Sequence, residues 1–182
     1  MKEFLTSLKM FLIFCVLCGI IYPLAATLAA ETFFPFRAEG SIIKINGENK
    51  GSLLIAQKFS SAGYFWPRPS ACNWQTMPSA ANNLALFDAK TLNNIKMYED
   101  EYKIARGAGG EMLFSSASGL DPHISPQSAL AQAKRVAAAR NIDIEDLNVL
   151  IGSCTEGRTW GFLGEERVNV LKLNLALDKY EK

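Results

Sequence analysis

The side chains that could do covalent chemistry are concentrated between Ser115 and Arg140. Serines, an aspartate and the only histidine of the chain, His123, come just before an alanine-rich stretch. Serine, histidine and aspartate are the side chains of a hydrolase triad. One hypothesis is therefore a membrane-anchored extracytoplasmic serine hydrolase that uses Ser118 and His123.

The local pattern argues against this hydrolase. A nucleophile elbow reads G-x-S-x-G, whereas residues 116–120 read S-A-S-G-L and lack the first glycine. Only Pro122 separates Asp121 from His123, and we expect its fixed ring to keep the carboxylate away from the imidazole. The alternative is a turn in which serine and aspartate side chains accept hydrogen bonds from backbone amides.

The sequence predicts no metal and no cofactor on this chain alone. His123 has no second histidine to accompany it, and the cysteines lack the spacing of a zinc site. The glycine-rich stretch 107–111 lacks the lysine and hydroxyl of a phosphate-binding loop. It fits the end of a helix and a turn better.

A second notable segment, residues 64–69, combines three aromatic rings with an arginine held between two prolines. Its residues are Tyr64, Phe65, Trp66, Pro67, Arg68 and Pro69. Aromatic side chains and arginine dominate the binding energy of protein interfaces. Tyr64, Phe65, Trp66 and Arg68 are therefore candidate partner contacts, as are Asp121 and His123. The alternative is that these rings fill the core of their own domain.

These residues follow an apolar stretch that is long enough to cross a membrane. Residues 10–30 carry no charge, and about 20 helical residues span a bilayer core. Pro23 is expected to remove one backbone hydrogen bond and bend the helix, and Tyr22 and Pro23 are candidate packing contacts. A cleaved signal peptide ending near Ala29 is the alternative, but the apolar run is long for one.

The charges that flank this stretch predict its orientation. Lys2 and Lys9 precede it, whereas Glu31 and the more distant Arg37 follow it. Positive residues stay in the cytoplasm, so residues 1–9 are predicted to be cytoplasmic, 10–30 a transmembrane helix and 31–182 a single extracytoplasmic domain. We expect the chain to be a single-pass membrane protein.

Composition adds few further constraints. The chain has 182 residues and a formal net charge of +1, which allows one ordinary domain and gives no basic surplus for nucleic acid. Cys15 and Cys18 lie within the apolar stretch and are read as small apolar side chains. Cys72 and Cys154 could form a disulfide outside the cytoplasm or remain reduced.

The rest of the chain predicts a mixed α/β (α+β) domain, beginning with a hairpin. Residues 40–47 look like a strand entering a turn at Asn46-Gly47, with residues 51–57 as its partner strand. Hydrophobic spacing favours a helix from about Ala85 to Arg106, followed by a short strand within 111–118.

The best-marked helix starts at Ser125, which can cap it, with Pro126 in its first turn. The residues predicted to share its buried face are Ala129, Leu130, Ala133, Val136 and Ala137. Polar residues including Gln132 are predicted to lie off that face. Asp143 is predicted to cap a further helix, and residues 167–177 begin like an alternating strand.

Several separated segments resemble one family, the KdpC subunits of bacterial potassium-transporting P-type ATPases. The matching segments read YPLAAT, FPFRAEGSII, GSLLIAQKF, YFWPRPSA, SASGLDPHISPQSALAQAKRVAAAR and GFLGEERVNVLKLNLALD. They cover most of the chain in the family's order. Residues 80–84 read AANNL, where the family carries a glycine-rich G-G-S-N-L.

The resemblance implies a non-catalytic accessory subunit of a high-affinity, ATP-driven potassium uptake complex in the bacterial inner membrane. Its implied partners are KdpA, which carries the selectivity pathway, KdpB, which hydrolyses ATP, and a small single-span subunit in the lipid bilayer. It also implies a role in assembly and in raising the affinity of KdpB for ATP. Since the predicted domain lies outside the cytoplasm, that effect would require coupling across the membrane.

Overall fold

A computed structural model describes residues 1–104, 107 and 109–180. Within it the chain divides into two compact units, Met1–Lys50 and Gly51–Lys182. The first unit contains the apolar stretch, and the second contains all the residues that the sequence marks as candidates for chemistry.

The first unit is dominated by one helix, Lys2–Phe33, of 32 residues with none of its apolar window buried. It consists of α1 (Lys2–Val16), a π-helical turn (Leu17–Ile21) and α2 (Tyr22–Phe33). By length and composition it can cross a membrane. At about 1.5 Å per residue it is longer than a bilayer core of about 30 Å, so the predicted span 10–30 fits inside it.

The π-helical turn ends at Ile21, two residues before Pro23. A proline inside a helix has no N–H to donate, and its ring clashes with the carbonyl one turn earlier. An inserted residue that widens the turn relieves this clash, and π-turns inside helices are commonly single-turn bulges of this kind. Tyr22 and Pro23 thus mark an irregular turn in the helix.

A short helix and a hairpin follow. α3 spans Pro35–Ala38, β1 spans Ile42–Ile45 and β2 spans Glu48–Ser52. Asn46 and Gly47 have φ angles of 54° and 81°, as the predicted two-residue turn requires. The predicted partner strand 51–57 was wrong, because a two-residue turn pairs β1 with the residues that come immediately after it.

The second unit packs helices against a small antiparallel sheet. Its helices are α4 (Ala89–Tyr102), a short 3-10 helix (Gly110–Leu113), α5 (Pro126–Arg140), α6 (Ile144–Cys154) and α7 (Val170–Tyr180). Its strands are β3 (His123–Ile124), β4 (Thr155–Glu156) and β5 (Arg167–Asn169), in the order β3-β5-β4. Ile124 pairs with Val168, and Thr155 also pairs with Val168 from the other side. The mixed α/β class is confirmed.

Both predicted helix caps are confirmed. The Ser125 hydroxyl accepts a hydrogen bond from the Ser128 amide at 3.1 Å, and the Asp143 carboxylate accepts one from the Glu145 amide at 2.9 Å. Each cap satisfies an amide that has no partner within its own helix. These caps fix where α5 and α6 begin.

The buried face of α5 differs from the prediction at two positions. Leu130 is 47% exposed, whereas Gln132 is only 1% exposed. The rest of the predicted face is buried as expected: Ala129, Ala133, Val136 and Ala137. Gln132 occupies a core position because it binds another segment, as described below.

Three predicted elements have different bounds or a different type. The helix predicted from Ala85 begins at Ala89, because Asp88 caps it, and ends at Tyr102, because Lys103 has a left-handed φ of 53°. Ala105 and Arg106, included in that helix, lie outside the described residues. The strand predicted within 111–118 is replaced by the 3-10 helix, whose consecutive Met112 and Leu113 are both buried.

The strand predicted from Arg167 is only β5, and α7 begins at Val170. Asn169 explains the change, because its side chain accepts a hydrogen bond from the Lys172 amide at 3.2 Å, as a helix cap does. Val170, Leu173 and Leu177 then lie on one buried helical face. The alternating leucines in this stretch are therefore compatible with a helix.

Candidate functional site

The candidate site is built on the extended segment Tyr64–Pro69, which we call the aromatic segment. Its residues alternate in burial: Phe65, Pro67 and Pro69 are buried, and Tyr64, Trp66 and Arg68 are half-buried. Phe65 is 0% exposed and belongs to the hydrophobic core. Its ring therefore has no exposed surface, as expected from the alternative in which these rings fill the core.

Two side-chain amides hold this segment in place. Asn174 of α7 accepts a hydrogen bond from the Phe65 amide at 2.8 Å and donates to the Phe65 carbonyl at 3.0 Å. Gln132 of α5 does the same for Trp66, at 2.9 and 3.1 Å. Asn174 and Gln132 are 2% and 1% exposed. They satisfy buried backbone groups that would otherwise be costly to remove from water.

Arg135 and Arg140 stack on the aromatic rings. The guanidinium carbon of Arg135 lies 3.9 Å from the centre of the Trp66 ring, and that of Arg140 lies 4.5 Å from the centre of the Tyr64 ring. Such contacts between a cation and a ring are favourable, and more so when water is excluded. Burial lowers the pKa of Arg135 to about 10, so its guanidinium remains charged at neutral pH.

The same arginines also bind the backbone. Arg135 donates to the carbonyls of Ala62 and Tyr64 at 2.6 and 3.0 Å, and Arg140 donates to the Gly63 carbonyl at 2.7 Å. Arg140 also forms an ion pair with Asp178 at 2.8 Å. The aromatic segment is thus fixed from both sides by α5 and α7, which makes this part of the domain a rigid surface.

Arg68, Asp121 and His123 line one cleft of about 830 Å³, together with Glu111, Arg158 and Arg167. Arg68 donates to the carbonyls of Phe114 and Ser115 at 3.4 and 3.3 Å. The structure therefore brings together three of the predicted contact residues. Their side chains are partly exposed, as a docking role requires.

Asp121 faces His123 directly. Its carboxylate oxygen Oδ1 lies 3.4 Å from Nδ1 of the imidazole and accepts a hydrogen bond from the His123 amide at 3.0 Å. The prediction that Pro122 would keep these side chains apart was wrong. The chain turns at Pro122 and brings the Asp121 carboxylate to both the amide and the ring of His123. The hydrogen bonds from His123, with the positive charge of Arg68, lower the pKa of Asp121.

We expect Asp121 to stabilise the fold only when ionised. A carboxyl pKa that is lower in the folded than in the unfolded state contributes stability above about pH 4, and this contribution is lost as the pH falls through the folded value. The free energy of unfolding of Asp121→Asn should therefore differ from wild type at neutral pH, and the difference should shrink as the pH falls from about 4 through the lower folded pKa of Asp121. Asp100→Asn, on the exposed side of α4, is the matched control. A difference that stays constant across this range would contradict the ionic role of Asp121.

The hydrolase hypothesis gains no support from this geometry. The Ser118 hydroxyl accepts a hydrogen bond from the Leu120 amide at 3.1 Å, as in the predicted turn. Within the part of the chain that the structure describes, no hydrogen bond joins Ser118 to His123. No group of three or more metal-binding side chains is found among those same residues.

Gln132 and Asn174 were not predicted as site residues. Asn174 lies four residues after Val170 on the apolar face of α7. Gln132 lies among the buried residues Ala129, Ala133 and Val136 of α5. A polar residue inside an apolar helical stripe is the signal that would have found both. Such a residue is stable in a core only when another segment satisfies its hydrogen bonds.

The comparisons with known proteins agree with the resemblance seen in the sequence. Residues 4–179 match the family described as "KdpC: K+-transporting ATPase, c chain". The chain is 42% identical, over its whole length and that of the relative, to the "Potassium-transporting ATPase KdpC subunit" of Geotalea uraniireducens. It is 44% identical to the protein of the same name from Geobacter sulfurreducens, with 98% of each chain covered. The chain therefore belongs to the KdpC family, as an accessory subunit of a potassium-transporting ATPase with one N-terminal apolar helix.

Proposed function

We propose that this subunit holds the potassium pump together from the outer side of the membrane and raises the affinity of KdpB for ATP. The observation that carries the proposal is the apolar helix Lys2–Phe33, with Lys2 and Lys9 near its start and Glu31 near its end. By the positive-inside rule, this arrangement keeps the N-terminus in the cytoplasm. The unit Gly51–Lys182 then lies outside the cytoplasm.

The rigid aromatic segment and the neighbouring cleft supply the docking surface. Trp66 and Arg68 are half-buried and fixed, and Asp121 and His123 line the adjoining cleft. A surface that is already ordered loses little conformational entropy when a partner binds. We assign this surface to KdpA, on the side where potassium enters, with Tyr22 and Pro23 packing within the bilayer against KdpA or the small single-span subunit.

The effect on ATP binding works through the equilibrium between states of the complex. ATP lies in the cytoplasm, so a domain outside it can change ATP affinity only by binding one state of the pump more tightly than another. Such couplings typically change an affinity by about 5- to 150-fold. The catalytic residues, in this proposal, are those of KdpB.

Labelling with a membrane-impermeant thiol reagent in intact cells tests the topology. Val149 is 73% exposed on α6, so Val149→Cys should react from outside, above the background of wild-type Cys72 and Cys154, which are half-buried. Glu3→Cys, near the N-terminus, is the control and should react only after the cells are made permeable. Labelling of position 149 only after permeabilisation would place the domain in the cytoplasm and refute the proposal.

The coupling is tested in the assembled complex. Potassium-stimulated ATP hydrolysis should have a KM for ATP at least about fivefold lower with this chain present than after its removal. A photoactivatable ATP analogue should label KdpB and not this chain. Labelling of this chain instead would favour direct nucleotide contact, and an unchanged KM would refute the coupling.

A further inference from the structure

The connection between β4 and β5 projects from the second unit as an arm, residues 157–166, all of which are exposed. It continues the β4–β5 pairing, in which Glu156 lies opposite Arg167. The end of the arm belongs neither to the hydrophobic core nor to the lining of the cleft that contains Arg68, Asp121 and His123. Its tip consists of Trp160, Gly161, Phe162 and Leu163.

The arm is an ordered hairpin. Thr159 and Leu163 exchange two backbone hydrogen bonds, at 2.9 and 3.0 Å, and the Gly161 amide donates to the Arg158 carbonyl at 3.1 Å. Below the tip, Arg158 and Glu165 form an ion pair at 2.7 Å. These bonds close the hairpin at and just below the tip.

This ordered tip presents large apolar side chains to solvent. Trp160, Phe162 and Leu163 are 81%, 68% and 46% exposed, and the two rings lie 6.5 Å apart. Exposed aromatic side chains clustered in this way are typical of binding surfaces.

The backbone at Trp160 is a second, independent indication. Its φ is 54°, in the left-handed region that bulky residues rarely adopt. Strained backbone of this kind is concentrated at functional positions, where the surrounding structure enforces it. Here the closed turn enforces it and places the indole on the outside of the arm.

The charges around the tip indicate what kind of partner it fits. From Glu156 to Arg167 the chain carries two arginines and three glutamates, a net charge of −1. The Arg158–Glu165 ion pair lies just below the apolar tip. An apolar centre with a polar rim is the usual anatomy of a protein interface, so the tip suits an apolar pocket on a protein.

We propose that the Trp160–Phe162–Leu163 tip inserts into an apolar pocket on another subunit of the potassium-transporting ATPase. The proposal deepens the proposed function, on which it rests, by naming the element that docks. The pocket would be lined by apolar side chains and would offer a hydrogen-bond acceptor to the indole N–H, as buried tryptophans require.

Photo-cross-linking in the purified complex tests this directly. With p-benzoylphenylalanine at position 160, we expect an adduct between this chain and one other subunit of the complex. The same probe at position 149, where Val149 is 73% exposed on α6, should give no such adduct. Adducts with lipid alone, or none with protein, would overturn the proposal.

Binding of the full-length chain to a complex stripped of it gives the second measurement. The double variant Trp160→Ala/Phe162→Ala should bind at least about tenfold more weakly than wild type, as expected for the loss of central aromatic contacts. Val149→Ala is the matched control and should bind as wild type does. Unfolding curves followed by Trp66 and Trp74 fluorescence check that the double variant is folded.

The outcomes separate the two proposals. If the tip variants bind as well as Val149→Ala, the tip is not the docking element, although the subunit still acts from outside. If the wild-type chain is shown to have a cytoplasmic domain, both proposals fail. An adduct at position 160 together with weakened binding supports docking by the tip, whereas thiol labelling and the KM for ATP test the proposed function.

Discussion

Replacing Phe65 by alanine should destabilise the unit Gly51–Lys182 by about 3–5 kcal/mol, the usual cost of removing a fully buried phenylalanine ring. Phe65 is 0% exposed and belongs to the hydrophobic core. Since domains are stable by only about 5–15 kcal/mol, much of the variant should be unfolded or lost from the complex under mild stress.

The measurement is denaturant unfolding of the full chain in detergent, followed by tryptophan fluorescence. The tryptophans, Trp66, Trp74 and Trp160, all lie in the second unit, so their signal reports that unit alone. Phe162→Ala is the matched control, because Phe162 is 68% exposed and its loss should change stability by less than about 0.5 kcal/mol. Equal effects of the two substitutions would contradict the burial of Phe65.

Asn174→Ala should cost about 2–4 kcal/mol, although it removes only a small polar side chain. The substitution leaves both the amide and the carbonyl of Phe65 buried without their partner at Asn174, and each such group costs about 1–3 kcal/mol. Hydrogen exchange at the Phe65 amide should also become faster, because that amide loses its acceptor.

Asn148→Ala on α6 provides the comparison. Asn148 is an exposed helical asparagine, and we expect its replacement to change stability by less than about 0.5 kcal/mol. If Asn174→Ala changed stability as little as Asn148→Ala and left hydrogen exchange at Phe65 unchanged, the two hydrogen bonds between Asn174 and Phe65 would not stabilise the domain.

These two predictions bear on function because Phe65 lies next to Trp66 in the aromatic segment. Trp66 is bound by Gln132 at its backbone and stacked by Arg135 at its ring. Loosening the segment at Phe65 would release these neighbours as well. A docking surface on such a segment would then have to be ordered at the moment of binding, at the expense of affinity.

Some features of this protein follow from its sequence alone. The apolar helix, the turn at Asn46-Gly47 and the caps at Ser125 and Asp143 were all predicted and are all present. Each depends on a few neighbouring residues: an uncharged run, a residue pair that tolerates positive φ, or a side chain that reaches the next turn of backbone. The matching segments likewise identify the KdpC family from the sequence alone.

The tertiary structure decided which distant segments meet. Asn174 and Phe65 are 109 residues apart, and Gln132 and Trp66 are 66 apart, so no local pattern connects them. It also settled the fate of the aromatic segment, which the sequence left open between core and interface: Phe65 joins the core, and Trp66 and Arg68 stay half-buried.

On α5, Gln132 is buried and Leu130 is exposed, and this reversal shows why the tertiary structure has to decide such positions. By hydrophobicity alone, Leu130 should be inside and Gln132 outside, because burying an amide without partners is costly. Once the aromatic segment lies against α5, its unpaired backbone groups reverse that preference, since Gln132 satisfies both the Trp66 amide and the Trp66 carbonyl. Periodicity and capping are local and can be read from the sequence, whereas the value of a buried polar side chain depends on the backbone that the fold brings to it.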